Sequence, residues 1–190
     1  MVTQTEKNTD YYAIPVIGPA VTNYKSTKIG YLTGCFVGLH KGHKAFLKEA
    51  SQLKHLNKLI VFMDSDDHVI DKWDKKSLDI RLDPRLKKRF FDVWDYLAQL
   101  EREERKTRPD FTIRLVHPYR GTTTSESFFV TLQDTIYMFC NFEFIMIEDY
   151  KNVKKWQDKY IDKKMANATY LKTVKDKSGK KISSKKVTDV

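Results

Sequence analysis

The chain has 190 residues, 41% of them hydrophobic, which is enough for one sizeable core and one domain. Two cysteines, Cys35 and Cys140, argue against a disulfide framework. No apolar run reaches bilayer-spanning length, and the opening MVTQTEKNTD lacks both the basic and the apolar part of a secretory signal, so a cytoplasmic protein is expected. The formal charge of +10 fits nucleic acid, an anionic membrane surface or small phosphorylated ligands. Much of the excess lies in 151–164 and 172–186, where lysines are not interleaved with aromatic platforms, which favours a solvated basic face over nucleic-acid binding.

Residues 1–26 read as a polar lead containing Pro15 and Pro19, ahead of one domain over 27–190. Residues 28–33 form a short buried strand ending at Gly34, and from Lys41 onward Phe46, Leu47, Ala50 and Leu53 recur at helical spacing. The run LIVFM, 59–63, suits a strand covered on both faces. A loop rich in charge is expected over 64–83. Asp83 as N-cap and Pro84 at the first helical position then open a helix with an apolar stripe of Leu86, Phe90, Val93, Trp94, Leu97 and Leu100, fading into EREERK at 101–106.

A third strand is expected over 111–116. Thr123 and Glu126 offer a capping box for a helix to about residue 139, and a fourth strand spans 142–147. Val153, Trp156, Tyr160 and Ile161 mark a further helix, and 168–173 reads as a weaker strand. Strands alternating with helices predict an α/β fold with a mostly parallel sheet of about five strands and helices on both faces.

The stretch GCFVGLHKGH, 34–43, holds three of the seven glycines and two of the five histidines, at the point where the first strand turns into the first helix. In parallel sheets ligands bind outside the carboxyl ends of the strands. There a helix start presents free backbone N–H groups and its positive dipole end to an anion. Glycines allow close approach to phosphate oxygens, and histidines three apart lie on one side of a first helical turn. His40 and His43 are therefore expected to face one phosphate chain rather than to be unrelated surface caps.

The pattern G-x-F-x-x-x-H-x-G-H, built here from Gly34, Phe36, His40, Gly42 and His43, resembles the signature of the nucleotidyltransferase superfamily, whose domain is Rossmann-like. It is most similar to the glycerol-3-phosphate cytidylyltransferase-like group, although Val37 stands where that group carries aspartate. Ser65, Asp66 and Asp67, followed by Lys72, Lys75 and Lys76, resemble the group's polar turn and phosphate-binding lysines. Arg85 resembles the arginine that opens its next helix. Glu148, Asp149 and Tyr150 are similar to its acidic turn near the acceptor and base. Ile182, Ser183 and Ser184 are similar to the segment that holds the β and γ phosphates, with Lys185 in place of threonine and lysines in place of the usual arginine. The likeness is closest over 28–88 and poor over 101–133.

The resemblance implies transfer of a nucleoside monophosphate from a nucleoside triphosphate, CTP favoured, to a phosphorylated small-molecule acceptor, with release of pyrophosphate. His40, His43 and Lys72 would be catalytic. Gly34, Cys35, Phe36, Gly42, Asp66, Lys75, Arg85, Glu148, Asp149, Ile182, Ser183 and Ser184 would bind the nucleotide. Mg²⁺ would come mainly on the triphosphate, with no metal site of protein ligands. The group commonly forms homodimers, for which Tyr11, Tyr12 or Trp73 would serve as exposed aromatics. Alternatives are an ATP-using adenylyltransferase of the same superfamily, a relative of class I aminoacyl-tRNA synthetases, to which GLHKGH and GKKISSKK are also similar, and a non-catalytic nucleotide-binding relative.

Overall fold

The computed structural model describes residues 28–74, 83–118, 142–150 and 167–182, together with the backbone of 11–15. The apolar runs of the sequence become the strands of one six-stranded sheet. They are β1 (Tyr11–Pro15), β2 (Ile29–Gly34), β3 (Lys58–Met63), β4 (Thr112–Pro118), β5 (Phe142–Ile147) and β6 (Asn167–Leu171), in the order β1-β4-β3-β2-β5-β6. The five strands from β4 to β6 are mutually parallel, and β1 lies antiparallel along β4 from Tyr11↔Pro118 to Pro15↔Arg114. This is an α/β, Rossmann-like architecture.

Residues of β2 through β5 are buried on both faces. Leu32, Leu59, Val61, Met63, Ile113, Leu115 and Ile145 share one core with Leu47 and Ala50 of α1 (Lys41–Ser51) and Val93 and Leu97 of α3 (Pro84–Arg105). Tyr31, Ile60, Phe62 and Phe144 are buried on the opposite face. That two-sided burial is why the strands read as continuous apolar runs rather than as an alternation. The helices expected near 123–139 and 153–161 lie outside the described residues.

Order in the sheet reverses direction at β2, which has β3 on one side and β5 on the other. The β2–β3 ladder runs the full length, from Ile29↔Lys58 to Gly34↔Met63, whereas β2 pairs with β5 only from Ile29↔Phe142 to Tyr31↔Phe144. Toward their carboxyl ends β2 and β5 therefore leave their shared ladder, as expected where an open α/β sheet forms its ligand crevice.

Three expectations from the sequence are corrected. The stretch expected as a loop over 64–83 begins as a helix, α2 (Asp66–Asp74). Ser65 caps it by accepting from the His68 amide at 3.1 Å. Its few apolar residues face inward, with Val69 and Trp73 packed on Val37 and Leu86, and this short stripe was hidden among charges. Trp73 is consequently core rather than an exposed aromatic for dimer contact. Tyr11–Pro15, expected as part of a lead, is an edge strand of the sheet. Finally, EREERK does not mark a fading helix. Glu101 is fully buried and accepts from the Ile113 amide at 2.7 Å, fastening α3 to the start of β4.

Trp73→Ala should cost about 3 kcal/mol in chemical denaturation, the usual loss for a large core aromatic. An unchanged midpoint would contradict its placement in the core.

Candidate active site

The loop leaving β2 folds back on itself. Phe36 adopts φ 50°, in the left-handed region that non-glycine residues avoid, and Gly38 follows at φ 55°. The turn places the Phe36 ring beneath Gly34, where a Cβ on the glycine would stand 2.9 Å from the ring, and edge-on to His43 at 5.3 Å. Val37 points the other way, into the apolar cluster between α2 and α3. The aliphatic residue at the position where the cytidylyltransferase group carries aspartate thus serves packing.

His40 is the N-cap of α1. Its Nδ1 accepts from the Gly42 amide at 3.1 Å and the His43 amide at 3.3 Å. The sequence had suggested that these amides are free for an anion; they are instead engaged by the cap. An Nδ1 that accepts two hydrogen bonds carries no proton, so the neutral ring holds its proton on Nε2. That Nε2–H is buried and has no hydrogen-bond partner among the described residues.

His43 stacks on His40 with ring centroids 3.7 Å apart and planes 20° from parallel, and its Nδ1 is also buried without a partner. Burial lowers the His40 pKa. It pushes His43 down to about 3, the neighbouring imidazole adding to the effect. Two neutral imidazoles therefore stand side by side at a helix N-terminus. An orphaned buried N–H costs about 1–3 kcal/mol, a penalty that an acceptor oxygen would remove.

Several other residues predicted from sequence stand at the carboxyl end of β2 and along the turn that follows it. Cys35 donates through Sγ to Asp64 Oδ2 at 2.8 Å and accepts from Lys72 Nζ at 3.2 Å. Burial, reinforced by the Asp64 charge, pushes its thiol up to about 11, which makes it a packed donor rather than a nucleophile. Lys72 thus reaches the carboxyl end of β2 from a helix rather than from a loop. Arg85 lies across Gly38, where an added Cβ would stand 3.1 Å from its Cδ, and is held by both oxygens of Asp83. Ile182 reaches the same turn from the far end of the sequence, its Cβ 3.4 Å from the place a Gly42 Cβ would occupy.

Other predicted residues have different partners. Asp66 pairs with Arg89 at 2.5 Å, and Glu148 and Asp149 bind Thr173 and Lys181. Lys75, Ser183 and Ser184 lie outside the described residues, as do Lys76 and Lys185.

Two residues that position the site were missed. Arg89, 1% exposed, donates to the Cys35 carbonyl at 2.9 Å and the Asp64 carbonyl at 2.6 Å, tying the carboxyl ends of β2 and β3 together. Its place three residues after Leu86, on the apolar stripe of α3, was the available signal. Asp64 follows β3 directly, and its amide donates to the Gly34 carbonyl at 3.1 Å. Among the described residues no group of three or more His, Cys, Asp or Glu converges as a metal cage.

The depressed pKa of His43 sets a pH dependence of stability. As pH falls below 6.5 the unfolded chain takes up this proton first, so stability present above 6.5 is lost progressively down to about 3. Between pH 7 and pH 5 the wild type should lose about 2 kcal/mol that a His43→Asn variant does not. Urea unfolding of both proteins at each pH measures it, and parallel losses would contradict the buried neutral state. No protein-family model matches this chain, and no curated protein matches it either.

Proposed function

We propose that the chain is a nucleotidyltransferase that moves a nucleoside monophosphate from a nucleoside triphosphate, CTP favoured over ATP, to a phosphorylated small-molecule acceptor. The observation that carries this reading is the unpartnered Nε2–H of His40, stacked against His43 at the start of α1, where β2 and β5 diverge. A buried neutral donor at a helix N-terminus suits a phosphate oxygen. The resemblance of GCFVGLHKGH to the nucleotidyltransferase signature supplies the kind of phosphate.

In this reading an oxygen of the acceptor's phosphate attacks the α-phosphorus in line. A new phosphorus–oxygen bond forms, the bond from the α-phosphorus to the bridging oxygen breaks, and its electron pair leaves with pyrophosphate. No covalent enzyme intermediate is required, so the protein's work is placement and stabilisation of charge on non-bridging oxygens. His40 Nε2–H donates to one such oxygen, and His43 lies within the same stack to serve its neighbour. Their neutrality leaves the donor protons in place across the physiological pH range. Lys72 contributes positive charge beside the β2 end, which suits the leaving pyrophosphate. The donors at the helix start are imidazoles, matched to phosphate oxygens rather than to a hard cation. Mg²⁺ would therefore be carried by the triphosphate with its own waters, neutralising charge there.

The test is a pyrophosphate-release screen of CTP, ATP, UTP and GTP against phosphorylated alcohols, phosphosugars and nicotinamide mononucleotide. Release with one pair is expected, and nucleotide binding without release by any pair would instead indicate a non-catalytic relative. His40→Asn separates the two roles of the ring: asparagine can still cap α1 but does not reach as far as Nε2. Turnover should fall about a hundredfold to a thousandfold, while stability changes by less than about 1 kcal/mol. His43→Ala should lower turnover on the same scale. Near-normal release by either variant would contradict the assignment.

A further inference from the structure

The acidic pair after β5 is engaged by other residues of the protein. Asp149 accepts from Thr173 Oγ1 at 2.7 Å on one carboxylate oxygen and from Lys181 Nζ at 2.7 Å on the other. The Glu148 carboxylate accepts from the Thr173 amide at 3.3 Å. Thr173 opens, and Lys181 lies on the returning leg of, a small hairpin that closes on itself. Lys175 bridges Lys181, the Ile182 amide donates to the Val174 carbonyl at 3.2 Å, and the tip is held by Asp176 accepting from Ser178 and Lys180 around Gly179 at φ 77°. One carboxylate thus holds both legs of the hairpin. The residue directly after Lys181 is Ile182, which lies against Gly42 between the two histidines.

We propose that Asp149 is a positioning residue, a clasp that docks the 173–182 hairpin on the carboxyl end of β5 and so sets Ile182 against the His40–Gly42–His43 turn. Ile182 then forms part of one wall of the proposed polyphosphate site. Through this clasp, a contact at the β5 end of the crevice governs geometry at the β2 end. This rests on the proposed function and deepens it; the family resemblance had implied that Asp149 touches the nucleotide itself. Both of its oxygens are already engaged, and the lysine and threonine hold its carboxyl below the usual carboxylate range.

The clasp is half exposed, so each variant should change global stability little and act locally, on the docking of the hairpin. In the full-length protein without nucleotide, the NOE between the Ile182 side chain and the Gly42 Hα protons reports docking. Asp149→Asn and Lys181→Met should each weaken it markedly, and the charge swap Asp149→Lys with Lys181→Asp should restore it. Retention of that NOE in both single variants, or failure of the swap to restore it, would overturn the clasp.

The same proteins are titrated with CTP and with inorganic pyrophosphate. Each single variant should bind about fivefold to tenfold more weakly, in proportion to a lost charge-assisted contact, with the swap recovering most of the loss. Unchanged binding in the single variants would overturn the positioning role alone. A wild type that binds neither probe would sink the nucleotidyltransferase reading and with it that role, while the NOE would still decide the clasp.

Discussion

The structure turns on one ring. Because His40 Nδ1 accepts the amides of Gly42 and His43, the ring is fixed in the tautomer that carries its proton on Nε2, and that proton is buried without an acceptor. The cap and the orphaned donor are thus two consequences of a single geometry. The glycine at position 42 is part of it, since a Cβ there would stand 3.1 Å from both Nδ1 and Cε1 of the cap and 3.4 Å from Ile182. Position 42 must stay small for the ring to lie over the helix start and for the C-terminal segment to close on it.

What surrounds the ring makes that geometry rigid. Arg89 spends its donors on the Cys35 and Asp64 carbonyls and on Asp66, so the ends of β2 and β3 cannot separate without stranding buried carbonyls. Phe36, held at a left-handed φ, supports His43 from below, and α2 seals the outer side through Val69 and Trp73 against Val37. Such strain in a strand-exit loop is retained where the surroundings over-determine it. At the opposite end of the sheet, Glu101 accepts from the Ile113 amide at the start of β4, and Arg108, paired with Glu104, donates to the Leu53 and Leu56 carbonyls ahead of β3. Glu101 and Glu104 of the EREERK run are thus buried in the scaffold, while Arg102, Glu103 and Lys106 are exposed.

Legibility in the sequence followed how directly a feature is written in local periodicity and capping. The strand–turn–helix around GCFVGLHKGH, the Asp83–Pro84 start of α3 and the apolar strands β3 and β5 were readable because burial on both faces and cap chemistry leave unmistakable residue patterns. Helix α2 was not, because two inward residues in a nine-residue charged segment make too short a stripe. β1 was missed because an edge strand is specified mainly by backbone pairing with β4, which Pro15 at its end does not advertise. The candidate site residues divide the same way. His40 and His43 were visible from spacing, whereas the partners of Asp66 and Asp149 are 23 and 32 residues away in sequence and only the fold brings them together.

The most direct test of the account is the protonation of the two imidazoles, followed by ¹⁵N NMR of the side-chain nitrogens in the free protein and during titration with CTP or pyrophosphate. The account predicts that at pH 7 His40 is neutral with a bare Nδ1 and a protonated Nε2, that His43 is neutral beside it, and that the His40 Nε2 signal moves as ligand is added. A proton found on Nδ1 of His40, a charged ring at pH 7, or an Nε2 signal indifferent to both ligands would contradict it.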